Sequence, residues 1–385
     1  MGCGSSSSQG APKQAAAAKQ SGIPEDAVPY TGPLLNVCLI EVPVKMKTET
    51  NLLGINGTTT TTDVDAYFPL IAAPYSDGFV LRQFTPITGA HKRDNMFSMS
   101  GTQQYQAILS KPTSDTSGES WQLHIIKSAL APQLLNSGFS MMFSMKHGAV
   151  ADTSHLHQQL AEQTAKGGRL ACLTMSMASQ GPSTTQALQG HGGVMGVDMF
   201  FNMPTHPNPT LYSYQAVNIQ VPYKMVTGLA SASVKVDLDW NAQLRAYLAQ
   251  GWRLTDIFFD SSSSTRMGFM SASGAMNSVW FFEKDCSMID DPTPVYEGVA
   301  IEYWQKIVVG MTGNMKVDGK WDNTITQMGQ RGWELTTILS TPESKSAGMT
   351  MHMKIMMFFQ RKIMTAPSVS QDPSAKENAQ VSTEQ

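Results

Sequence analysis

The stretch that decides the fold is 239–260, which reads DWNAQLRAYLAQGWRLTDIFFD. It predicts a helix over 239–249, capped at its start by Asp239, whose side chain accepts backbone hydrogen bonds. Gly251 is predicted to end the helix, because glycine readily adopts the left-handed geometry common at helix C-termini. A strand is predicted to begin after this glycine. Trp252 stands where the chain enters the sheet, and we predict a buried core residue there rather than a ligand platform.

The glycine-aromatic pair recurs along the chain. GWELT at 332–336 repeats GWRLT at 251–255, and GFVLR at 78–82 aligns with the latter at a shift of 173 (251 − 78). The counterpart in the second quarter is GRLA at 168–171, in which the aromatic is lost. The repeated structural positions are Gly78, Gly168, Gly251, Trp252, Gly332 and Trp333. Internal repetition constrains the fold more than any single motif does.

Two further matches support the repeat. CLIEVPVKM at 38–46 resembles VNIQVPYKM at 217–225, and MFF occurs at both 199–201 and 357–359. Both nine-residue segments alternate apolar and polar residues, which is the period of a half-buried strand. The core is therefore predicted to consist of two halves, each made of two smaller units.

Each unit reads as a strand, a short helix and two further strands. The helices are predicted over 64–74, 153–166, 239–249 and 320–330. Because such a unit buries one helix face on a sheet, the predicted fold class is α+β, with four β-α-β-β units in two tandem halves, mostly antiparallel sheets and helices on one face. The predicted domains are an acylated flexible tether at 1–29, a first half at 30–207, a second half at 208–365 and a disordered tail at 366–385.

The composition excludes several classes of protein. Of 385 residues, 41% are hydrophobic and only 15% are charged, and the net charge is −3. Electrostatics alone therefore predict neither nucleic-acid binding nor adhesion to anionic lipid. The cysteines Cys3, Cys38, Cys172 and Cys286 are far apart. They indicate neither a zinc site nor a disulfide framework, and they fit a reducing compartment. No metal or cofactor is predicted.

No run approaches the roughly 18 apolar residues that span a bilayer, but the first residues, MGCGSS, indicate another means of membrane attachment. Removal of the initial methionine exposes Gly2, and the small residues and Ser6 that follow match the N-myristoylation pattern. One myristoyl chain gives only marginal, reversible binding, and stable attachment needs a second signal. No polybasic patch precedes Lys45, so Cys3 is the predicted S-palmitoylation site. The alternative is a flexible tail that happens to begin with Met-Gly.

Catalytic motifs are absent from the sequence, and we predict that the chain is not an enzyme. There is no phosphate-binding loop, no HExxH and no GxSxG elbow. The glycine-rich segment 190–196 misses the GxGxxG spacing and precedes a strand, so a hairpin loop is predicted there. His155 and His157 lie two apart on a predicted helix and do not share a face, which makes them a poor metal pair.

Several motifs, together with the Met-Gly-Cys-Gly start, point to one family. They are DLDW at 237–240, QGWRLTD at 250–256, GWELTTIL at 332–339 and FFQR at 358–361. The chain resembles the raftlin family, most clearly from about Tyr212 to Met364. Vertebrate members carry a long C-terminal extension, whereas this chain stops soon after Met364, so functions housed in that extension are expected to be missing. The resemblance implies a dual-acylated, non-enzymatic plasma-membrane protein, with myristate on Gly2 and palmitate on Cys3.

The resemblance also implies a location and partners. The family is associated with lipid rafts on the cytoplasmic face of the plasma membrane, with organising receptor signalling and with uptake of double-stranded RNA. Endosomal membranes are a second expected location. The sequence itself shows no basic face that would predict RNA binding.

Three functions remain open at this point. The first is a membrane-tethered scaffold or adaptor, bound to membrane lipid through its acyl chains and to protein partners that the sequence does not identify. The second is a lipid- or small-ligand-binding module with a pocket between methionine-rich sheets. The third is an enzyme without a recognisable motif.

Overall fold

The computed structural model describes residues 29–50, 58–93, 101–114, 120–136, 146–180, 194–228, 231–267, 271–309 and 315–364. The first stretch of the chain forms β1 (Leu35–Thr50), β2 (Thr58–Thr62), α1 (Val64–Ala72), β3 (Val80–Arg93) and β4 (Gly101–Pro112). The second forms β5 (Trp121–Asn136), β6 (Lys146–Asp152), α2 (Ser154–Thr164), β7 (Arg169–Gln180) and β8 (Val194–Pro204). The third forms β9 (Tyr212–Thr227), β10 (Ser231–Val236), α3 (Trp240–Leu248), β11 (Arg253–Met267) and β12 (Ser271–Asp285). The fourth forms β13 (Tyr296–Val309), β14 (Met315–Asp318), α4 (Asp322–Gly329), β15 (Glu334–Ala347) and β16 (Thr350–Lys362).

The strands follow one continuous order, β14-β13-β16-β15-β10-β9-β12-β11-β6-β5-β8-β7-β2-β1-β4-β3. The prediction of mostly antiparallel sheets is confirmed, and the sheets are curled. The four strands of each stretch are neighbours in this order. Successive stretches are joined by the antiparallel pairs β10–β15, β6–β11 and β2–β7.

The predicted β-α-β-β order differs from the observed order in one respect and is not confirmed in that form. In each stretch a short strand, β2, β6, β10 or β14, stands between the first strand and the helix. β2 reads TTTTT and β14 reads MKVD. Such segments are too short or too polar to show the alternating apolar period from which a strand is inferred, so a loop was expected there.

The helix boundaries agree with the predicted ones to within a few residues, and the third shows why. The Asp239 side chain accepts a 2.9 Å hydrogen bond from the backbone N–H of Ala242, which satisfies a donor at the start of α3. At the other end, Gly251 adopts φ +78°, and its N–H donates to the carbonyl of Leu248 at 3.0 Å. The left-handed residue thus turns the chain out of the helix into β11.

In the second stretch the left-handed residue is Gly167, with φ +82°, and not Gly168 as expected. Gly168 follows it directly and takes the place that Trp252 has after Gly251. A Cβ at Gly168 would meet the carbonyl oxygen of Gln163 at 2.9 Å. A side chain has no room there, which explains why the aromatic is lost at this point of the repeat.

Buried apolar side chains from different stretches pack together. One cluster joins Ile108 of β4 to Trp321, Ile338 and Phe359 of the fourth stretch. Another joins second-stretch and third-stretch residues, among them Phe201 and Phe281. Residues on both sides of position 208 therefore share hydrophobic clusters, and each half buries apolar surface against the other.

The strands that leave the four glycines, β3, β7, β11 and β15, share an irregularity near their starts. Their register against the following strand shifts by one residue, at Leu81/Gln83, Leu170/Cys172, Leu254/Asp256 and Leu335/Thr337. Each of these bulged strands contacts the next, and β15 contacts β3, so their starts surround a common centre. Bulges of this kind redirect side chains.

Candidate functional site

The predicted lipidation residues, Gly2 and Cys3, lie outside the described residues. The predicted structural residues lie one or two positions before the first residues of the bulged strands. Trp333 is buried in a hydrophobic cluster, and Trp252 is partly buried against another. Gly78 and Gly332 line a cavity at the common centre of the four stretches. That cavity is the candidate site.

The cavity has a volume of about 340 Å³ and lies at one end of the sheet. It is lined by the first residue of each bulged strand, Val80, Arg169, Arg253 and Glu334. It is also lined by the first residue of the opening strand of each stretch, Leu35, Trp121, Tyr212 and Tyr296. The repeat therefore brings one end of all four stretches to the same place. Its volume is that of a small-ligand pocket.

Five charged side chains alternate in sign around the cavity. Arg82 contacts Glu334 at 3.2 Å, and Arg253 forms close ion pairs with both Glu334 and Glu283. Arg169 forms a close ion pair with the same carboxylate oxygen of Glu283, Oε1, that Arg253 contacts. The chain Arg82–Glu334–Arg253–Glu283–Arg169 carries three positive and two negative charges, a net charge of +1 (3 − 2). We call it the charge chain.

Glu283 is the centre of the charge chain and is only 1% exposed. Tyr214 donates a 2.6 Å hydrogen bond to its carboxylate, and the backbone N–H of Leu170 donates to the same tyrosine hydroxyl at 3.0 Å. Burial alone would raise the pKa of Glu283, but the guanidiniums of Arg169 and Arg253 lower it to about 2. The pKa of Glu334 is also lowered, since Arg253 and Arg82 outweigh its burial. Both carboxylates are therefore ionised at neutral pH.

Arg361 forms a second cationic group at the cavity wall. Its guanidinium carbon lies 4.2 Å from the ring centre of Trp333 and 4.5 Å from that of Tyr30. Its Nε donates to Glu297 at 2.6 Å. Trp333 thus serves both as a core residue and as a platform for a cation, whereas the sequence predicted only the first role.

One or two residues along the strands from the cavity lining, the bulges bring buried polar groups of different stretches together. The Asp256 carboxylate accepts hydrogen bonds from the backbone N–H groups of Leu173 and Ile257, at 2.6 and 2.8 Å. Burial raises its pKa to about 7, although these donors and Thr337 oppose the shift. Gln83 donates to the hydroxyl of Thr337 at 3.2 Å, which joins the first stretch to the fourth. These contacts fix the positions of the strands that carry the charge chain.

Sequence reasoning missed the charge chain. A signal existed within the repeat itself, because the second residue after the glycine is Arg253 in GWRLT and Glu334 in GWELT. Arg253 and Glu334 are oppositely charged residues at equivalent positions, where a strand enters the core. Such a pair predicts that the two strand starts lie in contact and form an ion pair. The bulge residue Arg82 and the buried Glu283 carry no comparable signal.

Among the described residues, no three or more His, Cys, Asp or Glu side chains group as metal ligands would. No helix in that part of the chain has the length and apolar character needed to cross a bilayer. The cavity's chemistry is that of paired guanidiniums, carboxylates and aromatic rings, an arrangement suited to holding an anion. No family model, no curated protein and no solved structure matches this chain.

Proposed function

We propose that the chain is a non-enzymatic scaffold or adaptor, myristoylated on Gly2 and palmitoylated on Cys3, on the cytoplasmic face of the plasma membrane. Like the raftlin family that it resembles, it would support the organisation of ordered lipid and receptor signalling or uptake. Lipid rafts and endosomal membranes are its expected locations. Double-stranded RNA enters this proposal only through the resemblance.

The observation that carries the proposal is the position of Tyr30. Tyr30, the second described residue, lies at the cavity, where its hydroxyl donates to the carbonyl of Lys362 at 3.2 Å. Lys362 ends the last strand. The first residues that the structure describes after the acylation motif therefore lie at the same end as the cavity. A tether attached there favours an orientation in which this end faces the membrane.

The two carboxylates of the charge chain support a binding role rather than a catalytic one. Glu283 and Glu334 have lowered pKa values and are paired with arginines, which suits neither a general acid nor a general base at neutral pH. Arg253 is likewise held by both carboxylates. Groups that neutralise one another in this way position a ligand or a strand and do not transfer protons.

A second candidate function is a tethered module that binds a small anionic ligand. The specific observation in its favour is the cavity of about 340 Å³ with arginines in its wall. Native mass spectrometry of the purified protein tests it, with bound anionic mass expected in the wild type. Protein that carries no such mass, and takes up none from a cell extract, counts against this function.

The experiment that tests the anchor is fractionation of cells that express the full chain. We expect Gly2→Ala to abolish membrane association and Cys3→Ser to weaken it, because one chain alone binds reversibly. Ser5→Ala serves as a matched control within the same segment. Intact-mass analysis of the N-terminal peptide reads both acylations directly. A Gly2→Ala protein that still sediments with membranes contradicts the proposal.

We further infer that the four stretches are copies of one unit, a β-α-β-β unit with an added short strand. Beyond the sequence matches, one backbone hydrogen bond recurs at equivalent places, just outside the first and last strands of each stretch. It runs from Thr113 N to Leu34 O (2.9 Å), Thr205 N to Ser120 O (3.1 Å), Cys286 N to Leu211 O (3.0 Å) and Ile363 N to Val295 O (2.9 Å). If the units are equivalent, alanine at Gly167 and at Gly251 will each destabilise the protein, which urea denaturation measures.

A further inference from the structure

We propose that the cavity end of the protein is a membrane-docking surface, and that the cavity holds the phosphorylated headgroup of an anionic lipid. The proposal deepens the proposed function by naming a lipid class and a contact surface, and it rests on the membrane location. Its test uses protein without acyl chains. Failure of the anchor and failure of this surface therefore give different results.

The cavity end carries a net positive charge, although the whole chain has a net negative charge. Six cationic side chains line the cavity, namely Arg82, Lys111, Arg169, Arg253, Arg361 and Lys362. Three carboxylates pair with them, Glu283, Glu297 and Glu334. The local balance is +3 (6 − 3), although the chain as a whole carries −3. A surface of this sign attracts anionic lipid, which the overall composition did not predict.

The charge chain has one more positive charge than negative charges. Burial lowers the pKa of Arg82, and the neighbouring Arg253 lowers it further, while Glu334 only partly compensates. A phosphate group bound between the arginines would supply the missing charge and accept their remaining N–H donors. Guanidiniums match phosphate oxygens with two parallel hydrogen bonds, which makes them the usual residues for this ligand.

Exposed apolar residues lie at the same end of the protein as the cationic cavity, and we call them the rim. Five large apolar side chains at this end are exposed, Leu34 (39%), Leu211 (46%), Val295 (37%), Ile363 (45%) and Met364 (45%). Three of them stand immediately before the strands whose first residues, Leu35, Tyr212 and Tyr296, line the cavity. Ile363 is held beside Val295 by a 2.9 Å backbone hydrogen bond. The repeat thus places an exposed apolar residue before the opening strand in three of the four stretches, and Ser120 takes that place in the second.

The combination of rim and cavity fits a bilayer surface better than a soluble ligand. Aromatic residues, exposed apolar side chains and cations at one surface are a combination found at membrane interfaces, where rings and aliphatic chains lie among the headgroups. Tyr30 lies in the same place and is 28 residues (30 − 2) from Gly2. The acylation motif and the docking surface therefore adjoin along the chain.

The test measures vesicle flotation of the full chain carrying Gly2→Ala, so that no acyl chain contributes. Vesicles contain phosphatidylcholine alone, phosphatidylcholine with phosphatidylinositol bisphosphate, or phosphatidylcholine with phosphatidylserine at the same total charge. We expect the protein to float with the phosphorylated lipid, less with phosphatidylserine, and not with phosphatidylcholine. The double variant Lys111→Glu, Lys362→Glu is expected to lower the affinity about tenfold or more, since each cation near a surface contributes measurably.

Matched controls lie at the other end of the strands. Leu211→Ser with Val295→Ser should weaken flotation, whereas Val226→Ser with Met349→Ser, at exposed sites of 51% and 54%, should not. Equal binding to both charge-matched vesicles overturns the headgroup site. Tight binding of free inositol trisphosphate with no effect of the rim variants overturns the docking surface. Binding to an added peptide or RNA in place of vesicles overturns both.

Discussion

The backbone N–H of Leu173 donates a 2.6 Å hydrogen bond to the carboxylate of Asp256, and so links β7 of the second stretch to β11 of the third. Asp256 is only 1% exposed. Its partners in the structure are backbone N–H groups and a hydroxyl rather than a cation, which is why burial raises its pKa from 3.8 to about 7. The joint between the two halves therefore contains a carboxylate that is protonated more readily than in the unfolded chain.

The first prediction is a loss of stability as pH rises towards neutrality. Between pH 3.8 and about 7 the folded protein holds a proton on Asp256 that the unfolded chain has released. The contribution of Asp256 to stability is therefore greatest below this window and falls through it, by at most about 1.4 kcal/mol per pH unit. Urea denaturation across the window measures the slope.

The matched variant for this prediction is Asp256→Asn, which cannot ionise. We expect it to remove the downward slope in that window while leaving the slopes at lower pH in place. It also gives up one acceptor oxygen, so the absolute stability falls, and only the pH dependence is diagnostic. Parallel curves for the wild type and the variant would contradict the assignment.

The second prediction concerns the buried carboxylate between two arginines. Glu283→Gln leaves Arg169 and Arg253 without their shared counter-charge and should lower the free energy of unfolding by about 3–5 kcal/mol. Glu41→Gln is the control, because the pair Glu41–Lys320 is 59% and 76% exposed and should be worth less than about 1 kcal/mol. Urea denaturation at neutral pH compares the two.

The pH dependence of the same residue has the opposite sign to that of Asp256. The folded pKa of Glu283, about 2, lies below its ordinary 4.5. Its stabilising contribution is complete above pH 4.5 and is lost as the pH falls towards 2. Acid denaturation of Glu283→Gln should therefore be shallower than that of the wild type. An equally steep acid transition would show that the ion pairs do not form.

The helices could be predicted from the sequence because their signals are local. Asp239 at the start of α3 and Gly251 at its end lie within a single short segment, and each satisfies backbone groups that any helix leaves unpaired. Most strands were also visible through apolar alternation. The short strands were not, because β2 and β14 show no such pattern and exist only through pairing with longer neighbours.

The candidate site could not be predicted because its contacts are non-local. Arg82 and Glu334 are 252 residues apart (334 − 82), and the bulge that turns Arg82 towards the cavity has no composition of its own. Glu283 sits in an apolar strand, where a carboxylate is unexpected unless its partners are known. Only the repeated glycine-aromatic segments indicated that the four strand starts occupy equivalent positions in the repeat. Equivalent positions in a repeat need not be in contact, so the sequence did not show that the strand starts lie together.

The third prediction tests the left-handed glycines. At Gly348, φ is +58° and a Cβ would meet nothing within 4 Å, so alanine there should cost only the conformational penalty, about 1–2 kcal/mol. At Gly251, φ is +78° and a Cβ would lie 2.8 Å from the carbonyl oxygen of Thr293. Gly251→Ala must also displace backbone and should cost at least about 1 kcal/mol more. If urea denaturation shows the same loss of unfolding free energy for both variants, the backbone around Thr293 can move away from the added Cβ at no cost.

The fourth prediction concerns the reactivity of the cysteines. Cys172 is fully buried beside the bulge of β7, and burial raises its pKa well above the ordinary range, so it has neither access nor thiolate character. Cys286 is exposed.

In native protein carrying Cys3→Ser, a disulfide reagent should modify Cys286 readily and Cys172 only at the rate of unfolding, because the thiolate is the reactive form. Peptide mapping by mass spectrometry separates the sites, and adding both Cys38→Ser and Cys286→Ser leaves Cys172 as the single thiol. Labelling of Cys172 that rises with urea in step with global unfolding would place β7 in the most stable part of the fold. Fast labelling in native buffer would instead mean that the strand starts around the cavity open locally, and the charge chain could not then hold a fixed geometry.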